Sequence, residues 1–305
     1  MIPIMMVVSK TMKLQGIFPP IATPFDHNGE IYAVKLRHNV EKWNLTALSG
    51  YVVMGSTGES VMLTAAEKAA VWEMVAKYAA PEKLLIAGTG AESVRETVSL
   101  TNAAADMGYK VAMVRTPHYY KTAFSRPEAQ MLYYRAVADQ ARIPIVIYNW
   151  PQTTGIDIPA SAVAALSEHP NIIGVKESSG SLEKVMQMVR EVKPGFNVLV
   201  GSAPTLWPSL LMGACGGILA YANAAPYSCI AIWEAYLKRE EAAGLDWQNR
   251  IAHPARLVTV KYGIPGLKYA MDLNGYYGGI PRLPLTPPSA EAKKEIEEAF
   301  QDLKG

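Results

Sequence analysis

The 305-residue sequence has little cysteine, almost no excess of one charge sign and no long apolar run. Its two cysteines, Cys215 and Cys229, form neither a disulfide framework nor a metal-spaced pair, which favours a reducing compartment. The five histidines are scattered and no HExxH motif occurs, so we expect no metal site. A formal net charge of +2 does not indicate the clustered basic face that nucleic-acid binding requires, so we expect no nucleic-acid partner.

The first ten residues, MIPIMMVVSK, are apolar. The run is too short to span a membrane, and it lacks the leading positive charge that opens a signal peptide. We therefore expect an N-terminal extension at 1–11, with translation starting at Met1 or Met12. We also expect a cytoplasmic protein with no membrane partner.

Half of the residues are hydrophobic, and many of them fall into eight short runs bounded by glycine, proline or polar residues. Helical stretches separate the runs, and strands that alternate with helices indicate parallel βα units. A doubly wound sheet uses similar units, but GTGAES lacks the third glycine of the dinucleotide fingerprint and GSTGES lacks the lysine of a P-loop. We therefore predict an α/β fold, a (β/α)8 TIM barrel over 12–239, with strands starting near residues 16, 50, 84, 111, 143, 172, 197 and 216.

Capping patterns and the end of the strand signal define the remaining elements. Thr64 with Glu67, and Ser125 with Glu128, have the spacing of a capping box and predict two helix starts. Strand signals stop near residue 240, and the rest of the chain has helical patterns around a Gly/Pro-rich linker. We predict a small C-terminal helical domain over 240–305.

One lysine stands in an unusual place. Ile172, Ile173 and Val175 belong to a predicted apolar strand, and Lys176 lies within the same strand. Lysines are almost never fully buried without a partner. A snorkelling surface charge, an ion pair with Glu177 and a nucleophile are the three interpretations. Adjacent strand side chains point to opposite faces, so Lys176 is expected to face the barrel without Glu177. Desolvation lowers the pKa of an ammonium and supplies the neutral amine that a Schiff base requires.

Two neighbouring segments also end predicted strands. GSTGES, which contains Ser56 and Thr57, is typical both of an ordinary turn and of a tight loop that binds a small carboxylate. Tyr148 is either plain core, as aromatics at strand ends usually are, or a proton shuttle one strand before the lysine.

Five motifs in order closely resemble the dihydrodipicolinate synthase / N-acetylneuraminate lyase family of Schiff-base pyruvate aldolases. The motifs are GSTGE, TPHYY, YNWP, GVKESS and GIPGLKYAMDLNGYYGG. The resemblance runs from about Gly16 to Phe300, and TGIDIP and LSEHPNIIGVKESSG resemble 4-hydroxy-2-oxoglutarate aldolase in particular. It implies a (β/α)8 barrel with a C-terminal helical domain, a lyase acting on pyruvate and an aldehyde, and a homotetramer built as a dimer of dimers.

The resemblance also implies residue roles. Lys176 would form the imine with the keto carbon of pyruvate, so that no metal or other cofactor is needed. Tyr148 would be the proton shuttle, with Ser56 and Tyr119 continuing the hydroxyl relay. The substrate-binding residues would be Ser56 and Thr57 at the pyruvate carboxylate, Ser178 at a substrate hydroxyl, and Ile218, whose carbonyl would lie close to the same site. Backbone amides near Ser202 are our own candidates for binding the distal carboxylate of a substrate.

Three positions bear on the choice of substrate. Thr153 stands where the synthases carry an arginine for the carboxylate of their aldehyde, and GSAPT at 201–205 lacks the acidic residues of sialic acid lyases. Ser178 resembles the hydroxyl that the family's aldolases use. We therefore predict cleavage of 4-hydroxy-2-oxoglutarate to pyruvate and glyoxylate, although the motifs contain no cation for its distal carboxylate. The alternative is a synthase condensing pyruvate with aspartate semialdehyde, and a remote alternative is a non-catalytic oxo-acid-binding regulatory protein.

Overall fold

A computed structural model describes residues 12–303, so the predicted extension at 1–11 lies outside the described residues. Eight strands form one sheet in which all paired neighbours are parallel, in the order β1-β8-β7-β6-β5-β4-β3-β2. This order confirms the predicted TIM barrel. The strands are β1 Gly16–Phe18, β2 Gly50–Val53, β3 Leu84–Gly88, β4 Val111–Arg115, β5 Ile145–Asn149, β6 Ile172–Glu177, β7 Asn197–Val200 and β8 Gly216–Ile218.

The barrel closes between β1 and β2 through single contacts. Pro19 and Pro20 follow β1 and have no N–H to donate, so a regular ladder cannot continue there. The amide of Val52 instead donates to the carbonyl of Pro19 at 3.0 Å, and the amide of Ile21 donates to the carbonyl of Val52 at 2.9 Å. The short β1 is therefore a consequence of the two prolines.

The interior of the barrel is filled by apolar side chains from all eight strands. Because successive strand residues alternate between faces, one set points into the barrel while the other packs against the helices. The interior set is Leu14, Phe18, Val52, Ile86, Val111, Met113, Val146, Tyr148, Ile173, Leu199 and Ile218. A closed core of this kind confines chemistry to the loops at the carboxyl ends of the strands.

Thirteen α-helices lie within residues 12–303, and none of the helices there is both long enough and apolar enough to cross a membrane. Four 3-10 turns (Ser56–Gly58, Ser60–Met62, Ala203–Thr205 and Ala220–Asn223) and one π-helical segment, Leu257–Lys261, complete the chain. The division at residue 240 stays a prediction. The helices are α1 Ala33–Asn44, α2 Ala65–Tyr78, α3 Val94–Asp106, α4 Lys121–Phe124, α5 Pro127–Ala138, α6 Pro151–Thr154, α7 Ala160–Ser167, α8 Leu182–Glu191, α9 Leu206–Leu211, α10 Pro226–Lys238, α11 Glu241–Arg256, α12 Gly263–Leu273 and α13 Ala290–Ala299.

One of the two predicted capping boxes is present. Thr64 accepts from the amide of Glu67, and the Glu67 carboxylate accepts from the amide of Thr64 at 2.7 Å. The box predicted at Ser125 is wrong, because α5 begins at Pro127 and the Ser125 hydroxyl donates to the carbonyl of Thr122. Proline at the first helical position has its φ already set and lacks an amide that would need a cap, and this fixed the helix start.

Candidate active site

Lys176 lies near the carboxyl end of β6 and is only 5% exposed. Its neighbour Glu177 points the other way, where its carboxylate accepts from the side-chain amide of Asn149 at 2.7 Å and from the backbone amide of Ser179 at 2.6 Å. The alternation expected of a strand is therefore present, and Glu177 does not neutralise Lys176. Burial lowers the pKa of Lys176 to about 7, because a charged amine loses its hydration there.

Tyr148 stands beside Lys176 on the adjacent strand, β5, in direct register with it. The Nζ of Lys176 lies 4.1 Å from the centroid of the Tyr148 ring, and Trp150 stacks on the same tyrosine with ring centroids 6.1 Å apart. Burial raises the pKa of Tyr148, and the nearby Ser56 hydroxyl partly opposes that shift. Tyr148 therefore holds its proton at neutral pH, and its side chain lines the cavity described below.

The loop after β2 is tightly wound. Met54 and Glu59 have φ values of +65° and +55°, in the left-handed region that non-glycine residues seldom adopt, and they flank the turn Ser56–Gly58. Glu59 is buried and pairs with Lys268 of α12 at 2.6 Å. Strained backbone persists only where its surroundings fix it, and this buried ion pair is one such constraint. The turn presents Thr57 to the cavity described below.

Ser178 and Gly201 meet at the carboxyl ends of β6 and β7. The Ser178 hydroxyl is buried and has no hydrogen-bond partner within residues 12–303. A Cβ placed on Gly201 would overlap the Ser178 hydroxyl and would lie 3.1 Å from the Cε of Lys176. Glycine is therefore required at 201, and the serine hydroxyl lies close to the reactive lysine.

These groups open into one cavity of about 600 Å³ at the carboxyl end of the barrel. It contains five of the predicted site residues, namely Thr57, Tyr148, Lys176, Ser178 and Ser202. Helices beyond the barrel supply one wall, and the lining contributed by the described part of the chain contains no aspartate or glutamate. The other lining residues are Trp150, Gln152, Thr153, Ser179, Gly180, Gly201, Pro204, Thr205, Ala220, Arg256, Val258, Thr259, Val260, Gly263, Ile264 and Leu267.

Three predicted site residues do not line the cavity. Ser56 lies near Tyr148 but outside the lining, and Ile218 is fully buried in the interior cluster that also contains Tyr148. Tyr119 is 77% exposed and contributes, with Tyr120, to a separate surface pocket. Within one chain the structure therefore does not bring Tyr119 together with Lys176.

Sequence reasoning missed Arg256, the last residue of α11, which lines the cavity. Pro254, two residues earlier, has no amide to donate, and the chain then continues as the π-helical segment Leu257–Lys261. Such segments often occur at functional sites. Pro254, a proline inside an otherwise helical pattern, was the sequence signal that could have drawn attention to Arg256. It does not indicate that the arginine lies near the carboxyl ends of the strands.

Comparison with known proteins gives a consistent result. The Dihydrodipicolinate synthetase family profile matches residues 13–303. A 4-hydroxy-tetrahydrodipicolinate synthase of Methanothrix thermoacetophila is 35% identical over 292 residues, covering 95% of this chain and 97% of that protein. A probable mitochondrial 4-hydroxy-2-oxoglutarate aldolase of Emericella nidulans is 33% identical over 294 residues, covering 94% of each.

A solved structure shows the same fold. YagE, an E. coli K12 prophage protein of the dihydrodipicolinic acid synthase family, was solved in complex with pyruvate. It is 27% identical and superposes with a TM-score of 0.88, covering 95% of this chain and 98% of that one.

Proposed function

The chain belongs to the dihydrodipicolinate synthetase family and is a pyruvate-dependent class I lyase, and from this premise we propose that it cleaves 4-hydroxy-2-oxoglutarate. The products would be pyruvate and glyoxylate, formed through an imine at Lys176 without a metal or other cofactor. The observation that carries this choice is Ser178, which lines the cavity beside Lys176 and whose buried hydroxyl has no partner among the described residues.

An unpaired buried hydroxyl favours a substrate that supplies its partner. Leaving such a group unsatisfied costs about 1–3 kcal/mol, and a ligand that hydrogen-bonds to it recovers that free energy. A substrate whose C2 is joined to Lys176 carries its C4 hydroxyl two carbons farther along. The position of Ser178 beside the lysine suits a hydroxyl at that distance. Pyruvate alone would leave the serine unpaired.

The first chemical step is formation of the imine. The neutral amine of Lys176 attacks the C2 carbonyl carbon, and loss of water leaves a C=N bond to the lysine nitrogen. A pKa near 7 supports this role, since a large fraction of the amine is neutral at physiological pH. The protonated imine then withdraws electrons from the adjoining carbon, as a Lewis-acid metal would in another class of aldolase.

The second step breaks the C3–C4 bond. The C4 hydroxyl loses its proton, glyoxylate departs with the new carbonyl, and the bonding electrons pass through C3 into the imine as an enamine. Protonation of C3 and hydrolysis of the imine then release pyruvate and restore the lysine. Tyr148, with Ser56 close to it, is the proposed route for these protons.

The C1 carboxylate shared by pyruvate and the substrate would bind at the turn after β2. Thr57 lines the cavity, and Ser56 is its neighbour in the turn Ser56–Gly58. Backbone amides near Ser202, which is also in the cavity wall, are proposed to contact the distal carboxylate instead. The carbonyl of Ile218 is proposed to lie close to the C1 end, where it can accept a hydrogen bond but cannot donate one to a carboxylate.

The position of Tyr119 bears on the proposed homotetramer. Tyr119 is exposed and lies outside the cavity of the same chain, and the centroid of its ring is 5.2 Å from that of Tyr120. If the Tyr119 hydroxyl continues the relay, it must either enter the cavity of a neighbouring copy of the chain or reach its own cavity after its loop moves. We propose that it enters the cavity of a neighbouring copy, in a dimer of dimers. Analytical ultracentrifugation of the wild type and Tyr119→Phe, with turnover measured on both, tests the proposal.

The synthase reaction is the second candidate, and the name of the Methanothrix relative favours it. Its aldehyde, aspartate semialdehyde, carries a carboxylate that the family's synthases bind with an arginine at the position of Thr153. Thr153 lines the cavity here and offers at most one neutral hydrogen bond. A charge-assisted hydrogen bond is worth about 1.5–3 kcal/mol, so losing it disfavours the semialdehyde roughly ten- to a hundredfold.

The two candidates are separated by assaying purified enzyme on both substrates. We expect a higher kcat/KM for cleavage of 4-hydroxy-2-oxoglutarate than for condensation of pyruvate with aspartate semialdehyde. Ser178→Ala should slow cleavage more than it slows imine formation with pyruvate, and Ser181→Ala, at an exposed helix start, is the matched control. A higher kcat/KM with the semialdehyde would select the synthase.

A further inference from the structure

We infer that Arg256 binds the distal carboxylate of a dicarboxylic 2-oxo acid whose keto carbon is joined to Lys176. This deepens the proposed function, on which it rests for the reaction itself, by assigning the substrate class and the residue that selects it. None of the motifs that identify the barrel contains this arginine, because it lies on α11, beyond the eighth strand.

The charges in the cavity support the assignment. Among residues 12–303, Lys176 and Arg256 are the two basic residues of the lining, and none of the lining side chains is acidic. Burial holds the pKa of Lys176 near neutrality, and the amine is neutral when it attacks. The guanidinium of Arg256 is therefore the positive charge that the free cavity offers to a ligand. A cavity with this composition favours an anionic substrate over a neutral one.

The guanidinium of Arg256 is also available for a ligand. Arg256 forms no ion pair and no side-chain hydrogen bond with any residue of the range 12–303, although other arginines there, such as Arg115 and Arg282, bond to glutamates. A guanidinium presents a fixed fork of five N–H donors that matches a carboxylate with two parallel hydrogen bonds. An unpartnered fork lining a substrate cavity is therefore suited to a carboxylate ligand.

The two cations lie at different depths. Lys176 is almost completely buried, whereas Arg256 is exposed, so the lysine is at the floor of the cavity and the arginine is nearer its mouth. The residues that follow Arg256, Leu257 and Val258, are buried and fix the backbone at that point. A substrate held at Lys176 by its keto carbon would direct its far end toward the mouth. A distal carboxylate on that end would approach Arg256.

Neutral groups in the same wall could assist the arginine without replacing it. Gln152 and Thr153 line the cavity and can each donate to a carboxylate oxygen, whereas the hydroxyl of Thr259, also in the lining, already donates to the carbonyl of Ala255 at 2.7 Å. None carries a charge, so none distinguishes a carboxylate from a neutral polar group by electrostatics. Selectivity for a dianion is therefore assigned to Arg256 alone.

The test compares two ligands that differ only at the distal end. 2-Oxoglutarate and 2-oxopentanoate have the same chain length, and a methyl group in the second replaces the distal carboxylate of the first. We expect calorimetry to show wild-type enzyme binding 2-oxoglutarate about tenfold more tightly, the low end for a charged hydrogen bond because Arg256 is exposed. Arg256→Gln should abolish this preference while leaving the affinity for 2-oxopentanoate and pyruvate within about twofold.

Arg250→Gln provides the matched control. Arg250 is an exposed arginine of the same helix that pairs with Asp246 at 2.8 Å and does not line the cavity. Its loss removes the same net charge, so the preference for 2-oxoglutarate should persist in that variant. A preference that survives Arg256→Gln, or falls equally in both variants, overturns the inference. A wild-type enzyme that does not prefer 2-oxoglutarate overturns it as well.

This experiment is independent of turnover, so the two proposals can fail separately. An enzyme that binds 2-oxoglutarate through Arg256 but does not cleave 4-hydroxy-2-oxoglutarate would refute the proposed reaction and keep the carboxylate site. An enzyme that cleaves the substrate equally well with Arg256→Gln, and shows no binding preference, would keep the reaction and refute the site.

Discussion

The Nζ of Lys176 lies over the face of the Tyr148 ring, 4.1 Å from its centroid. An aromatic face attracts a cation, so this contact by itself would raise the pKa of the lysine. Burial has the larger effect, because the net shift takes the pKa of Lys176 down to about 7. The ring therefore packs against the amine, while the tyrosine hydroxyl stays free for proton transfer near Ser56. The proposed nucleophile is thus the Nζ of Lys176, and the proposed proton shuttle is the hydroxyl of Tyr148.

The first prediction follows from the lowered pKa of Lys176. The neutral fraction of the amine falls tenfold for each pH unit below about 7, and it is nearly constant above about 8. The rate of imine formation at subsaturating pyruvate should show that profile in rapid-quench experiments. Digestion after reduction with borohydride should place the adduct on Lys176, with Lys261 and Lys268 unmodified. A rate that keeps rising to pH 10 would indicate an ordinary exposed lysine.

The same shift has a consequence for stability. The folded state holds Lys176 neutral above about pH 7, whereas the unfolded chain keeps it protonated up to its usual pKa of 10.5. Between these values the unfolded state binds more protons, so this group's contribution to the free energy of unfolding rises with pH. Lys176→Met should remove this contribution, which can be measured by chemical denaturation of both proteins at pH 7 and pH 9. An unchanged pH dependence would contradict it.

The second prediction concerns the hydroxyl of Tyr148. Tyr148→Phe should keep the fold and lose about 10²–10⁴-fold in turnover, as expected when a general acid/base is removed. Tyr109→Phe is the matched control, because Tyr109 is equally buried and donates to the carbonyl of Trp72 at 3.0 Å, away from the cavity. That control should lose some stability but little activity. If both variants turn over at wild-type rates, Tyr148 is only a core residue.

Much of the barrel could be predicted because its strands are short, buried on both faces and bounded by turn residues. Lys176 could be predicted for the same reason, since a charge within such a run is conspicuous. Residues whose role depends on contacts between distant segments could not be found. Gly201 meets Ser178 only because β6 and β7 pair in one register, with the amide of Gly201 donating to the carbonyl of Glu177 at 2.7 Å. Arg256 approaches the lysine only through the packing of α11 on the barrel.

The third prediction tests the close approach at Gly201. A methyl group there would collide with the Ser178 hydroxyl and crowd the Cε of Lys176 at 3.1 Å. Gly201→Ala should therefore slow imine formation at least tenfold, because roughly an ångström of misplacement can cost about a hundredfold in rate. Adding Ser178→Gly should restore part of the rate by making room. Equal rates of imine formation for wild type and Gly201→Ala would mean that the end of β7 can shift to admit a methyl group, and would contradict the prediction.

The fourth prediction concerns the buried ion pair between Lys268 and Glu59. Their charged atoms lie 2.6 Å apart and both side chains are almost completely buried. Removing one partner of such a pair leaves an uncompensated charge and typically costs about 3–5 kcal/mol. Lys268→Met should lower the free energy of unfolding by that amount in urea denaturation. Lys261→Met, which breaks the exposed pair with Glu295, should leave it nearly unchanged.

A double variant separates loss of stability from loss of the site. Lys268→Met combined with Glu59→Met removes both charges, and replacing a whole buried pair by apolar side chains is often neutral for stability. Glu59, however, also accepts from the amide of Arg282 at 2.8 Å and ends the turn that presents Thr57 to the cavity. The double variant should therefore regain stability but bind pyruvate more weakly than the wild type in calorimetry. Recovery of both stability and wild-type affinity would show that the pair stabilises the fold without positioning the carboxylate-binding turn.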